Sequence, residues 1–341
     1  MSRRRWAVGC VLVGLCTGLA CGPAGDERGR ADRTVRLTVG YRPFLSYSPL
    51  FIAQEEGYFA EQGLEVEFVK VLRTSHGMPA LSDGKLDVLA GSLNAGLLNA
   101  VARGARLRMV ADKTHIGTRG PPYLALLARR ELVEDGALSQ PERLRGLTLV
   151  MNRDNASAFF VEKALARFGL SPDDMKILAI PSAARLEALE KGAVDIVSVT
   201  EPWLTRILSS GRSALCTADY EVIPGFQFGY IAFGPTLLDK QPEVGRRFMT
   251  AYLRGIRQHN RGRTRRNIEI LVKYTRLEPP LLAKAGWPCF RDDGRINVES
   301  VLAFQEWGVK KGLVERRLAA ADLWDPSFAE QATRLLDGSG G

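Results

Sequence analysis

Residues 80–89 read Ala80-Leu81-Ser82-Asp83-Gly84-Lys85-Leu86-Asp87-Val88-Leu89, and residues 188–197 repeat them as Ala188-Leu189-Glu190-Lys191-Gly192-Ala193-Val194-Asp195-Ile196-Val197. Both copies keep the Ala-Leu pair, the Gly, the Asp and the two apolar residues after it. Each predicts a helix that stops at Gly, the residue that most readily takes the left-handed backbone of a helix end, and then a buried strand. A shorter echo precedes each copy: Gly63-Leu64 and Gly169-Leu170 both close an apolar helix and lead into a strand-like run. The order helix, Gly, strand, helix, Gly, strand therefore occurs twice. This predicts two similar α/β lobes with a cleft between them.

Working outward, residues 35–40 alternate apolar and polar side chains and form a first strand before the turn-rich Tyr41-Arg42-Pro43. Ser48-Pro49 marks a helix start, with Ser48 as N-cap and Pro49 at the first helical position. Strands are expected at 64–69, 86–90 and 107–111, with helices at 78–82 and 95–103. The second lobe has expected strands at 147–151, 176–180 and 194–199, helices across 161–168 and 182–191, and a further helix opening at Glu201-Pro202-Trp203. Alternation of this kind favours a mostly parallel sheet covered by helices. Residues 123–128 cross to the second lobe and 228–233 return, followed by helices at 242–260, 267–274 and 298–311 that pack back on the first. Lobe one is thus 35–122 with 229–341, lobe two is 123–228, and the two crossings form a hinge.

The chain opens with Arg3-Arg4-Arg5 and an apolar or small run over residues 6–20. That run falls short of the roughly 20 residues a membrane helix needs, so residues 1–20 read as a cleaved signal peptide rather than an anchor. Ala20-Cys21 reads as a lipoprotein processing site with Cys21 lipidated, ordinary cleavage nearby being the alternative. Residues 21–34 are polar and Gly-rich, a flexible tether. The expected location is the periplasm or the outer face of the cell membrane, with the lipid as the membrane attachment.

Apolar residues make up 45% of the 341, enough for sizeable cores, and the length after the signal suits two lobes better than one. The formal charge of +9 becomes +6 when the three signal arginines leave, 44 basic residues against 38 acidic. The surplus includes Arg246-Arg247 and the arginines between 254 and 266, a solvated helix face without the aromatic interleaving of a nucleic-acid binder. No nucleic-acid partner is expected; attraction to anions or lipid headgroups is the more economical use. Of five cysteines, Cys10 and Cys16 leave with the signal, Cys21 is lipidated, and Cys216 and Cys289 are expected to be free, since a bridge between lobes would restrict closure. With His76, His115 and His259 the three histidines, and no Cys-x-x-Cys, no metal and no cofactor are expected.

Residues 49–66, Pro49-Leu50-Phe51-Ile52-Ala53-Gln54-Glu55-Glu56-Gly57-Tyr58-Phe59-Ala60-Glu61-Gln62-Gly63-Leu64-Glu65-Val66, resemble the opening of substrate-binding proteins of the sulfonate, taurine, nitrate and thiamine-pyrimidine-precursor type. The two Gly-x-x-Asp copies and Thr200-Glu201-Pro202-Trp203 resemble later landmarks of that family. The likeness covers about residues 35–208 and is loose in the C-terminal third. It implies a type II periplasmic binding fold, two α/β lobes joined by a two-crossing hinge. It also implies a monomer that captures a small-molecule solute and delivers it to an ABC transporter permease.

Ligands of open α/β sheets sit beyond the carboxyl ends of the strands, where helix N-termini offer N–H groups. Those ends here are rich in hydroxyl and amide side chains: Ser46, Ser48, Thr74, Ser75, Ser92 and Asn94 in lobe one, Asn152, Asn155 and Ser157 in lobe two. Such groups donate and accept, which suits a neutral or anionic polar head, although they are also the usual caps and turn formers. Tyr41, Phe44, Tyr47, Trp203, Phe226 and Phe228 flank strand ends, placed either to stack on a planar ligand or to pack at the hinge. Arg73 is the candidate for a charged ligand group. Glu201 is placed to accept from a ligand amine or to favour its own helix N-terminus. The ligand class stays open between an anion and a planar heteroaromatic ring. The competing functions are an enzyme related to pyrimidine-precursor synthases and a sensing subunit of a membrane partner. No cysteine cluster, Gly-x-Ser-x-Gly or His-Glu-x-x-His pattern occurs, so capture without chemistry is the expectation, with no catalytic residue.

Overall fold

A computed structural model describes residues 34–338; the expected signal peptide, nearly all of the tether and Cys21 lie outside the described residues. The strands in chain order are β1 (Val35–Tyr41), β2 (Leu64–Lys70), β3 (Val88–Ser92), β4 (Arg108–His115) and β5 (Leu124–Arg129). They continue with β6 (Thr148–Val150), β7 (Lys176–Leu178), β8 (Ile196–Thr200), β9 (Ser213–Ala218) and β10 (Gln227–Phe233). They form two five-stranded sheets, ordered β2-β1-β3-β10-β4 and β7-β6-β8-β5-β9. The two orders are the same pattern written twice, with β10 and β5 in matching places.

Each sheet is half parallel. β1 runs parallel to β2 and β3, and β6 to β7 and β8. β10 runs antiparallel to β3 and β4, and β5 to β8 and β9. The expectation of a mostly parallel sheet is therefore corrected to a mixed one. The cause is non-local: β10 arrives from the far end of the second lobe and inserts between β3 and β4. The chain passes between sheets in the connectors 116–123 and 219–226, and the segments expected as crossings are themselves strands of the sheets.

The repeated sentence becomes a repeated frame. Gly84 (φ 71°) and Gly192 (φ 67°) both take the left-handed conformation behind the helices Thr74–Ser82 and Arg185–Glu190. Asp87 then accepts from the Thr38 backbone N–H at 2.8 Å and from its hydroxyl at 2.9 Å, fastening β3 to β1. Asp195 accepts from the Thr148 N–H at 2.8 Å and from the Arg129 guanidinium at 2.7 Å, fastening β8 to β6 and β5.

Helix Ser48–Glu55 begins at Ser48 itself, with Tyr47 as the preceding residue, so the N-cap role expected of Ser48 is corrected. A 3-10 turn, Leu45–Tyr47, runs straight into this helix and leaves no extended cap residue. The helix lies against Pro242–His259 so closely that a Cβ at Gly255 would meet the Pro49 carbonyl. Pro202 sits just ahead of the helix Trp203–Ser209 rather than inside it. One apolar core joins Leu37, Val39 and Phe51 to Phe248 and Tyr252; a small one gathers Leu189, Val197 and Ile207 in the second lobe. A third, containing Leu98, Leu124, Phe160, Tyr230 and Phe304, is shared by both lobes. Helix Val298–Lys310 touches both, Trp307 Nε1 donating to Glu162 at 3.0 Å. Cys216 and Cys289 are free. Among the described residues no helix is long and apolar enough to cross a membrane.

Candidate functional site

Where strands of both sheets end toward each other, the molecule holds a cavity in two parts. The outer chamber, about 500 Å³, is walled by Phe44, Leu72, Arg73, Thr74 and Ser75 from one lobe and Asn152, Asp154, Ile180, Pro181 and Trp203 from the other. The inner chamber, about 70 Å³, lies against Ser46, Tyr47, Lys113, Tyr123, Ser198 and Phe228. That is roughly the room of two or three water molecules, enough for a small polar head. Arg42, Ser92, Asn155 and Arg185 border both chambers.

The inner chamber is built around cations. Lys113 is buried on β4, where Gly229 on the neighbouring strand leaves room for its stem: a Cβ there would sit 2.9 Å from Lys113 Cε. Its Nζ donates to Ser46 Oγ at 3.1 Å and stands 3.8 Å above the Tyr47 ring. Tyr123 donates to the same Ser46 oxygen at 3.0 Å, which leaves the Ser46 O–H as a donor to something else. Tyr47 is spent on the Ala90 carbonyl at 3.2 Å. Arg185, also buried, donates to the carbonyl oxygens of Ser198 and Ile180. Ser198 Oγ is buried and has no hydrogen-bond partner among the described residues. Arg42 stacks over Phe44 at 4.2 Å.

Burial dominates the electrostatics. It holds the Lys113 amine well below its ordinary value, with Arg42 adding repulsion and Asp112 opposing it. It brings Arg185 down to about 10 and pushes the Tyr123 phenol up to about 12. No carboxylate forms an ion pair or hydrogen bond with Lys113 or Arg185 among the described residues; their bonded partners are a hydroxyl and backbone carbonyls. The nearest acid in sequence, Asp112, is committed to Gln227, His115 and the Arg291 N–H at 2.8–2.9 Å. Buried cations without a counter-ion, beside an unpartnered hydroxyl, lack one complement, an anion.

The structure brings most of the residues singled out from sequence to this cavity. Phe44, Arg73, Thr74, Ser75, Ser92, Asn94, Asn152, Asn155 and Trp203 border the outer chamber; Tyr47, Ser157 and Phe228 border the inner. Four lie elsewhere. Tyr41 packs edge-on against Phe51 at 5.7 Å. Ser48 Oγ meets the buried His259 Nδ1 at 2.7 Å. Glu201 accepts from the Thr205 hydroxyl and the Gly286 N–H, both at 2.7 Å. Phe226 stacks on Phe159 in the shared core. Asn94 and Asn155 cap their helices through Leu97 N and Ala158 N. Beside them the backbone joins the lobes, Ala95 N donating to Asp154 O and Ala156 N to Leu93 O at 2.9 and 2.8 Å. Sequence reasoning missed Arg42, Lys113, Tyr123, Arg185 and Ser198. The usable signal for Lys113 was the polar continuation of an apolar strand, Asp112-Lys113-Thr114, in a segment expected to stop at 111.

The NMT1-like family matches residues 30–272. Among curated relatives, bicarbonate-binding protein CmpA of Synechococcus elongatus is 24% identical over 241 residues, 63% of this chain and 52% of that protein. The chain spans about half the length of the curated relatives it matches. Of solved structures, a ligand-binding component of an ABC-type import system from Staphylococcus aureus superposes with a TM-score of 0.73 at 17% identity, covering 88% of this chain and 99% of that one. The alkanesulfonate-binding protein SsuA from Xanthomonas axonopodis pv. citri, bound to MOPS, gives 0.69 at 19% identity, over 86% and 99%. The desulfurization enzyme DSZB gives 0.63 at 13%, over 89% and 99%. The fold is thus the two-sheet α/β architecture of periplasmic binding proteins, one that also carries an enzyme.

Proposed function

The chain belongs to the NMT1-like family, and from that premise we propose that it is a solute-binding protein. In this reading it captures a small anionic solute between its lobes and hands it unchanged to an ABC import permease. One observation carries the anionic assignment: Lys113 and Arg185 are buried at the inner chamber with no carboxylate on either. An amino-bearing ring has less to meet, since Glu201, the acid placed to receive an amine, is turned to Thr205 and Gly286. The outer chamber gives the body of the solute Phe44 and Trp203 to pack on, and Arg73, Thr74, Asn152 and Asn155 to bond. Lobes bounded at residues 122 and 228 would close over it by hinge motion, with binding energy shifting an open–closed equilibrium. An exported, lipid-anchored monomer is part of this reading; the apolar run over residues 6–20 supports the export and Cys21 the anchor.

Catalysis, which a shared fold with an enzyme raises, finds less support. Neither Cys216 nor Cys289 borders either chamber, and the hydroxyl–imidazole contact of Ser48 with His259 is sealed in the core. The test is a thermal-shift screen of the purified protein with nitrate, bicarbonate, alkanesulfonates, taurine, pyrimidines and flavins. An anion at a hundred times its Kd should raise stability by about 3 kcal/mol. Stabilisation by uncharged rings alone would overturn the anionic reading, and turnover of any bound compound would overturn the non-enzymatic one.

A further inference from the structure

Lys113 is the one buried cation of the chamber whose charge is negotiable, because an ammonium, unlike a guanidinium, gives up its proton readily. No carboxylate bonds to it, and Asp112, the one acid whose charge acts on it, is turned to other partners. From the 42–47 segment it meets the Arg42 guanidinium, the Ser46 hydroxyl and the face of Tyr47. The connector before β5 presents the Tyr123 phenol, already bonded to Ser46. β10 presents Gly229, without a side chain. The opposite wall presents Arg185 and Ser198. On its own strand, Asp112 turns its carboxylate to Gln227, His115 and Arg291. Glu201 and Asp219 lie behind Tyr123, and Asp219 is held by the N–H groups of Tyr123 and Leu124.

We propose that the inner chamber seats the anionic end of the solute against Lys113, and that Lys113 takes up one proton from solvent as the anion enters. The empty chamber then holds a neutral amine donating to Ser46, and the occupied chamber holds an ammonium–anion pair. Anion and proton arrive together, so binding adds no net charge to the chamber. The depressed basicity that burial and Arg42 impose on Lys113 fits this sequence, but the geometry stands without it: a buried amine bonded to no carboxylate, with two guanidinium groups lining the same chamber. An uncharged solute would leave the amine without reason to ionise.

This inference rests on the anionic reading above, and its test separates the two. Nitrate and methanesulfonate serve as probes, since neither takes up a proton itself in the range used. Sulfonate buffers are avoided as competitors. Titration calorimetry in Tris and in imidazole, buffers of different ionisation heat, counts protons taken up per anion bound across about pH 6 to 9. The expected result is one proton per anion and an affinity that falls about tenfold for each pH unit. Lys113→Met and Lys113→Gln should both bind more weakly and with a flat profile. Binding by wild type without proton uptake would overturn the inference and leave the anionic reading standing. Uptake that persists in both variants would overturn it too, assigning the proton to another group. If neither probe binds at any pH, the anionic reading falls and the inference falls with it.

Discussion

Asp87 and Asp195 hold equivalent strands in the two lobes by the same bond to a threonine N–H, yet three residues beyond each Asp the lobes part company. There the first lobe has Ala90 and the second Ser198. The Ala90 carbonyl accepts a neutral phenol from Tyr47; the Ser198 carbonyl accepts the buried guanidinium of Arg185, and the Ser198 hydroxyl is buried and unpartnered among the described residues, at a residue that lines the chamber. Three residues further on, Leu93 in the first lobe answers to Glu201 in the second. Leu93 is plain core, whereas Glu201 is a buried acid bonded to Gly286. The repeat therefore writes the frame twice, and the chemistry sits where the copies disagree.

The largest effect expected from this disagreement is a pH dependence that only the second lobe supplies. Burial raises Glu201 from 4.5 to about 7, despite bonds from Gly286 and Thr205 and the nearby Arg263 charge that pull the other way. Between those two values the folded chain holds the proton more tightly than the unfolded chain. The contribution is then fully present below about pH 4.5 and is lost as pH rises through about 7, a fall of about 3 kcal/mol. Urea unfolding of wild type and Glu201→Gln from pH 4 to 8 should differ in slope by that amount, whatever the offset in level. Asp219, raised to about 6 by burial, keeps a smaller slope of the same sign in both proteins. Parallel profiles for the two proteins would remove Glu201 from the account.

The frame itself should respond equally in both lobes, and more modestly. Asp87→Ala strands the Thr38 N–H and hydroxyl; Asp195→Ala strands the Thr148 N–H and the Arg129 guanidinium. Each should lower stability by about 2 kcal/mol in urea unfolding, the second somewhat more because Arg129 Nε is already without a partner. Neither should move the affinity for an anion by more than about twofold. A loss in one lobe only would break the claim that the two frames are equivalent.

This division also explains what sequence made legible. The helix–Gly–strand copies are local, so the two frames and their glycine stops could be read from residue order alone. So could the loops that border the cleft, because Thr74, Ser92, Asn152 and Asn155 directly follow strands or open helices. The insertion of β10 between β3 and β4 left no local trace. β9, Ser213–Ala218, was equally silent: an edge strand with little alternation. The buried cations were the least visible. Lys113 lies near the end of a strand and Arg185 opens a helix, both ordinary places for a solvated charge; Lys113 meets the 42–47 segment and β10, and Arg185 the carbonyls of Ile180 and Ser198. Arg73, the cation chosen from sequence, stands exposed at the outer wall.

The finest test exchanges the residue three places beyond the shared Asp, where the copies differ in polarity. Ser198→Ala makes the second lobe match Ala90 of the first, at a side chain that is buried and has no bond to lose. For the empty protein, removing an unsatisfied hydroxyl should be neutral or stabilising by up to about 1 kcal/mol. For the occupied chamber it removes the hydroxyl that would turn to the anion on binding, and affinity should fall about tenfold, near 1.4 kcal/mol. The two measurements, a urea midpoint and a Kd for the same anion, are thus expected to move in opposite senses. A residue that merely packs would lower both or neither. Should affinity stay unchanged while stability rises, Ser198 is an idle hydroxyl, and the difference between the lobes at that position carries no recognition.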